Sequence, residues 1–198
     1  RCICVVKITA SNGQFGWGEG YGPANILNEG IKFLKPHVIG KNPLENEVIW
    51  STMYRKTLDF ARRGILVASM SAIDIALWDL KGKILNLPIS TLLGGAHRSQ
   101  IKPYATGLYF TDPKNPSRDF EEEVALYKSQ GFKAIKMKVG LGINEDFKNI
   151  KRMRKVMGDD IELMIDSNHA YTLREAVSLC KKIEPYNISW FEEPISPE

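Results

Sequence analysis

Three short clusters, Lys136-Met137-Lys138, Asp166-Ser167-Asn168 and Glu192-Glu193-Pro194, hold the residues of this chain best suited to act together chemically. The steps from Lys138 to Asp166 and from Asp166 to Glu192 are 28 and 26 residues. Each cluster closes an apolar run of strand character, and a repeat near this length is what a strand–helix–strand unit needs. Strands connected in this way bring two lysines and two carboxylates to one end of a parallel sheet. That composition suits metal-assisted removal of a proton from carbon.

Strand parity says where these groups point. Ala134, Lys136 and Lys138 share one face, and Ile135, Met137 and Val139 share the other, which must meet the flanking helices. The lysines therefore face away from the helices, toward the interior if the sheet closes into a barrel. A buried lysine is costly unless paired or functional, and desolvation lowers its pKa, which suits a base. Taken alone, the two lysines could equally decorate a solvated edge strand. The same parity puts Asp166 in line with Met164, and Glu192 in line with Trp190 and Ile188. Each carboxylate ends its strand, where α/β sheets and barrels keep their active sites. Any single lysine–carboxylate pair could be a plain ion pair, but three clusters at matching depth weaken that reading. Carboxylate oxygens with open positions suit Mg²⁺, and no histidine or cysteine cluster competes for a softer metal.

The elements that must position these clusters are legible. In the second half, strands over Lys102–Tyr109, Ala134–Val139, Ile161–Asp166 and Ile188–Glu192 alternate with helices over Asp119–Gln130 and Asn144–Met157. A third helix opens on the capping box Thr172-x-x-Glu175 and buries Leu173, Ala176, Val177, Cys180 and Ile183. This order means a parallel sheet, doubly wound or a (β/α) barrel. In the first half, strands over Arg1–Ala10 and Phe15–Gly18 flank the turn signal Ser11-Asn12-Gly13. Helices follow over about 26–34, 45–54 and 64–85, the last apolar on most faces, and Pro88 to Gly95 leads out. Gly140-Leu141-Gly142 has the outline of a dinucleotide turn, but it lacks the third glycine, and Glu145 and Asp146 would face a pyrophosphate. His169 adjoins the site loop without a visible partner and reads as peripheral.

The 198 residues are 43% hydrophobic and 25% charged with a formal charge of +4, the balance of a globular protein. Basic residues are mixed with acids, which excludes a nucleic-acid footprint. Three cysteines without a repeated spacing exclude a disulfide framework and point to a reducing, cytoplasmic setting. No apolar run is long enough to span a membrane.

At these residues the chain resembles the mandelate racemase and muconate lactonizing enzyme group of the enolase superfamily, with the mandelate racemase-like subgroup favoured by Glu-Glu-Pro. Phe15-Gly-Trp-Gly-Glu19 resembles the hairpin of that family's capping domain. Ser71 to Asp79, Lys81-Gly-Lys83, Pro88 and Leu92-Leu-Gly94 resemble its helical signature, with Ser69 where an alanine is usual. The resemblance implies an α+β capping domain over 1–96, incomplete at its start. It further implies the first four units of a (β/α)8 TIM-type barrel over 97–198. It makes Lys138 the base that removes a proton α to a carboxylate. Lys136 neutralises and binds that carboxylate, Asp166 and Glu192 bind Mg²⁺, and Asn168 lies against substrate or the metal shell.

Because the sequence opens on Arg1 and stops past the fourth strand, it is expected to be part of a larger enzyme, to which the resemblance assigns a third metal carboxylate and a second acid/base. The expected reaction is dehydration of a sugar acid or related α-hydroxy acid through an enediolate. Racemisation, epimerisation or cycloisomerisation on the same scaffold is the alternative, and a catalytically silent barrel kept for binding or assembly is the rival of another class. The expected partner is a small-molecule carboxylate, taken by a homo-oligomer that touches neither nucleic acid nor membrane.

Overall fold

Residues 2–112 and 114–198 are described by a computed structural model. The chain divides into two compact units, Arg1–Ser99 and Gln100–Glu198. Among the described residues no helix is long and apolar enough to cross a membrane.

In the first unit, β1 (Cys4–Thr9) and β2 (Phe15–Gly20) pair antiparallel, with Thr9 opposite Phe15 and Cys4 opposite Gly20. Gly13, at φ +85°, closes the turn between them, a conformation that suits a residue without Cβ. Parity along β2 sends Gly16, Gly18 and Gly20 inward and leaves Phe15 and Trp17 outside. Three helices follow: α1 (Ala24–Leu34), α2 (Asn46–Thr57) and α3 (Ile65–Leu85). α3 packs on the hairpin and on both other helices.

The inward glycines explain the close seat of α3. A Cβ at Gly18 would strike the Ala72 carbonyl, and one at Gly16 would strike the Ala76 carbonyl. Asp79 of α3 then pins β2 by accepting from the Trp17 backbone N–H at 2.8 Å. Gly18→Ala is therefore expected to destabilise this unit by about 3 kcal/mol, the upper end of ordinary overpacking. Urea unfolding monitored by tryptophan fluorescence measures it, and a loss below about 1 kcal/mol would show that α3 shifts freely. Ser69 is fully buried and satisfies its hydroxyl on the Ile65 and Leu27 carbonyls, so the departure from alanine is accommodated. A one-turn helix, α4 (Ile89–Leu92), occupies the stretch read from sequence as a proline-and-glycine exit.

The second unit is a four-stranded parallel sheet in the order β3 (Ala105–Gly107), β4 (Ala134–Lys138), β5 (Glu162–Asp166) and β6 (Ile188–Glu192). The crossovers between successive strands are α5 (Phe120–Ser129), α6 (Ile143–Met157) and α7 (Leu173–Ile183). Ile135, Met137 and Val139 join Val124, Ile150, Met153 and Leu179 in one core between sheet and helices. Strand β3 begins at Ala105, three residues later than expected, and ends at Gly107, because Leu108 turns left-handed (φ +55°) and gives its N–H to Glu123 at 2.9 Å.

Helix α7 differs in its buried face. Ala176, Leu179 and Ile183 are buried, whereas Leu173 and Val177 are 67% and 45% exposed and Cys180 is exposed. Two adjacent apolar stripes run along this helix at i, i+3/i+4 spacing, and only one meets the sheet. The capping box itself forms, with Thr172 and Glu175 bonded reciprocally.

Candidate active site

β4, β5 and β6 end level with one another, Lys138 beside Asp166 and Asp166 beside Glu192. Because Ile135 and Met137 are held in the helix-side core, both lysines emerge on the other face. Lys136 is 7% exposed. Its Nζ lies 2.6 Å from Glu192 Oε2 and 3.6 Å from Asp166 Oδ2. Lys138 Nζ donates to Asp166 Oδ2 at 2.5 Å and to Asn168 Oδ1 at 2.6 Å. The four charged groups thus form one continuous network.

Its electrostatics follow from that pairing. Burial works against a charged Lys136. The hydrogen bond to Glu192, helped by the charges of Glu192 and Asp166 and by Tyr104, outweighs it and holds the ammonium above the ordinary lysine range. Desolvation therefore does not prepare Lys136 as a base; its carboxylate partners keep it a cation. For Asp166, burial alone would raise the carboxyl, but the bonds from Lys138 and the Asn168 N–H and the charges of both lysines hold it below the usual carboxylate range.

The loops behind the strands are stitched together. Ser167 N and His169 N donate to the Glu192 and Glu193 carbonyls at 3.2 and 2.8 Å, and Tyr171 N donates to Pro194 O at 3.2 Å. Asn168, His169 and Glu193 all sit left-handed, at φ +44°, +66° and +44°. Such backbone costs free energy and persists where the surroundings over-determine it, often at functional sites.

All five residues singled out from sequence, Lys136, Lys138, Asp166, Asn168 and Glu192, lie in this one network. Three groups were missed. Glu193 Oε2 accepts from Asn168 Nδ2 at 3.1 Å and lies 3.3 Å from His169 Nε2, so His169 has a partner after all. Tyr104 and Tyr109 place their rings 5.5 Å from the ammoniums of Lys136 and Lys138 respectively. Asp146 and Tyr171 bond to each other behind the loops. The parity expected of β6 also fails at its start. The register shifts at Leu163/Met164, and Ile188 packs with Phe191 against the helix-side core instead of lining up with Trp190 and Glu192. Ser189 is the extra residue of this bulge, its hydroxyl on the Leu163 carbonyl at 3.2 Å.

Comparison with known proteins decides the kinship. Residues 1–94 match the mandelate racemase / muconate lactonizing enzyme N-terminal domain, and residues 119–198 match the enolase C-terminal domain-like family. The chain belongs to the mandelate racemase / muconate lactonizing enzyme group of the enolase superfamily.

Within that group it is similar to the solved 3,6-anhydro-D-galactonate cycloisomerase of Zobellia galactanivorans (57% identity, TM-score 0.94), covering 100% of this chain and 54% of that one. It is 40% identical to the D-galactarolactone cycloisomerase of Agrobacterium fabrum, over 100% of this chain and 52% of that protein. A racemase structure from Streptomyces coelicolor with bound magnesium aligns at 31% identity and TM-score 0.89, over 98% and 58% of the two chains. Other relatives are named as acid-sugar dehydratases. The chain spans about half the length of the relatives it matches.

The donor chemistry of the strand-end cluster fits a hard divalent cation. Asp166 and Glu192 supply only oxygen, and the Lys136 ammonium already lies within 4 Å of both, so the two carboxylates converge on positive charge. Among the described residues no cluster of three or more His, Cys, Asp or Glu side chains is placed to hold a metal. The described residues thus supply two candidate ligands, not a full set.

Proposed function

We propose that this protein belongs to a Mg²⁺-dependent enzyme that removes the proton α to the carboxylate of a sugar acid. Its reaction is cycloisomerisation of a 3,6-anhydro-galactonate, the substrate named for the 57% identical Zobellia galactanivorans relative. The observation that carries the proposal is the single network joining Lys136, Lys138, Asp166, Asn168 and Glu192 at the ends of adjacent strands. The four-stranded sheet is read as the first half of a (β/α)8 barrel and the first unit as its capping domain. The doubled length of the relatives supports this, as does the uncovered apolar stripe of α7.

Removing the C2 proton of an aldonate spreads the electron pair onto the carboxylate oxygens. Mg²⁺ held by Asp166 and Glu192 would supply Lewis-acid stabilisation of that developing charge. Lys136, kept charged by its acidic partners, would bind the substrate carboxylate, adding preorganised charge where negative charge develops. Lys138 would take the proton, with Asn168 Oδ1 fixing the direction of its amine. Collapse of the enediolate expels the oxygen on C3. In a 3,6-anhydro acid that oxygen stays tethered at C6 and takes up a proton as the C6 hydroxyl, so the ring opens, no water leaves, and the resulting enol ketonises with protonation at C3. In an open-chain aldonate the same elimination is a dehydration. The dehydration and cycloisomerase readings therefore share their first step and differ in the leaving group.

The experiment is to incubate the full-length protein with Mg²⁺ in D₂O, in separate reactions with 3,6-anhydro-D-galactonate and D-galactonate, and follow C2–H by NMR. Conversion of the anhydro acid to a 2-keto-3-deoxy acid is the expected result. Conversion of D-galactonate alone would make the enzyme a dehydratase, and C2 deuteration without net conversion would make it a racemase or epimerase. No exchange, together with no heat of Mg²⁺ binding, would reject the enzyme in favour of a silent barrel.

A further inference from the structure

Gly140-Leu141-Gly142, the turn after β4, is built as an anion cradle, and the anion is the chain's own. Asp146 is fully buried and accepts from the N–H groups of Gly140, Leu141 and Gly142 at 2.9, 3.3 and 3.1 Å. Its remaining partner is the Tyr171 hydroxyl, which comes from the loop after β5. Burial first, and then the bond to Asp146, push that hydroxyl well above the ordinary phenol range, so it stays a donor.

A second contact brings the same two loops together. Gly140 sits at φ +120°, and a Cβ there would come 2.9 Å from Ala170 Cβ and 3.3 Å from Ser167 O. Tyr171 also reaches the loop after β6 through its backbone N–H to Pro194 O. The three loops that carry the candidate site are therefore tied at one buried point. Lys138 is two residues before Gly140, and Asn168 is three before Tyr171.

We propose that Asp146 and Tyr171 are positioning residues, a buried latch that locks the loop after β4 onto the loop after β5 and so sets the Lys138 amine against Asn168. The proposal rests on the reading of Lys138 as the base. Tyr171 packs in the helix-side core, and the Asp146 carboxylate is spent on the turn N–H groups and the Tyr171 hydroxyl, so each acts on the site through backbone. A lysine swung by about 1 Å from its line of attack loses rate far more than affinity, because orientation enters the barrier directly.

Tyr171→Phe in the full-length protein removes one hydroxyl and leaves Asp146 its three N–H partners; Asp146→Asn is the stronger companion. With 3,6-anhydro-D-galactonate and Mg²⁺, Tyr171→Phe is expected to lower kcat about 10- to 100-fold and move KM less than about twofold. Two further readouts need no substrate. Amide hydrogen exchange should accelerate together at Gly140–Gly142 and at His169–Ala170, and the Lys138 amine should acylate several-fold faster. Unchanged amide exchange and unchanged Lys138 labelling in Tyr171→Phe would overturn the latch, as would a kcat loss that merely tracks the fraction unfolded. If the wild-type protein leaves the acid untouched, the functional reading fails, and the exchange and labelling rates still decide the latch.

Discussion

Lys138→Ala is expected to lower C2 proton exchange and turnover about 10³- to 10⁴-fold, the size of a lost general base. The protein should survive the change. Asp166 keeps Lys136 at 3.6 Å and the Asn168 N–H at 3.0 Å, so its carboxylate stays partnered when Lys138 is gone. The informative companion is Lys138→Arg. A guanidinium keeps the positive charge beside Asp166 but does not give up its proton in the working range. If Lys138 acts as the base, arginine is as inactive as alanine. If it acts only by its charge, arginine restores much of the rate. Single-turnover NMR in D₂O with Mg²⁺ separates these, since it reads the proton step apart from product release. Lys136→Ala makes the opposite prediction about binding, with KM rising because the fixed cation for the substrate carboxylate is lost.

The network behind that prediction was visible in the sequence because β4 alternates strictly. With Ile135 and Met137 committed to the helix-side core, a period of two leaves Lys136 and Lys138 no other face. The same rule failed on β6, where the bulge at Ser189 moves Ile188 to the helix side, and nothing in Ile188-Ser-Trp-Phe-Glu192 marks an extra residue. β3 ended early for a similar reason. Leu108 adopts a left-handed backbone that its residue type does not advertise, and the carboxylate that makes it possible, Glu123, lies on α5.

Gly140-Leu141-Gly142 is the most instructive miss. Its glycines and N–H groups do form an anion cradle, and Asp146 was seen to conflict with a phosphate there. The conflict was itself the signal: an acid four residues past Gly142 fills the cradle that its own helix opens. Only the fold could bring Tyr171 to the same carboxylate, across 25 residues of chain. Helix α7 was ambiguous on different grounds. Its two apolar stripes are equally periodic, and sequence alone does not say which one meets the sheet.

Asp166→Asn is expected to destabilise the second unit, and the pH dependence of that loss has a definite sign. Asp166 is 2% exposed and faces two ammoniums, so the variant leaves Lys136 and Lys138 with Glu192 and Asn168 alone. Removing one partner from a buried ion pair costs about 3–5 kcal/mol, and the surviving partners place this case near about 3 kcal/mol. The Asp166 carboxyl is held below its unfolded range, so its contribution is complete above the unfolded pKa and fades as pH falls through the folded one. Lys136 is held above its range, so its contribution is complete below the unfolded lysine pKa and fades as pH rises through the folded one. The stability difference between wild type and variant should therefore be flat from about pH 5 to about pH 10 and shrink toward both extremes. Urea unfolding in EDTA across that range measures it, and a variant as stable as wild type at neutral pH would mean that the lysines are solvated. Adding Mg²⁺ separates ion pairing from metal binding. A cation held by the folded state at a hundred times its Kd adds about 2.7 kcal/mol to the wild type. The variant should gain little, because one of the two candidate ligands has lost its charge. An undiminished Mg²⁺ response in Asp166→Asn would leave the ion pairs intact as an explanation of stability and remove Asp166 from the metal site.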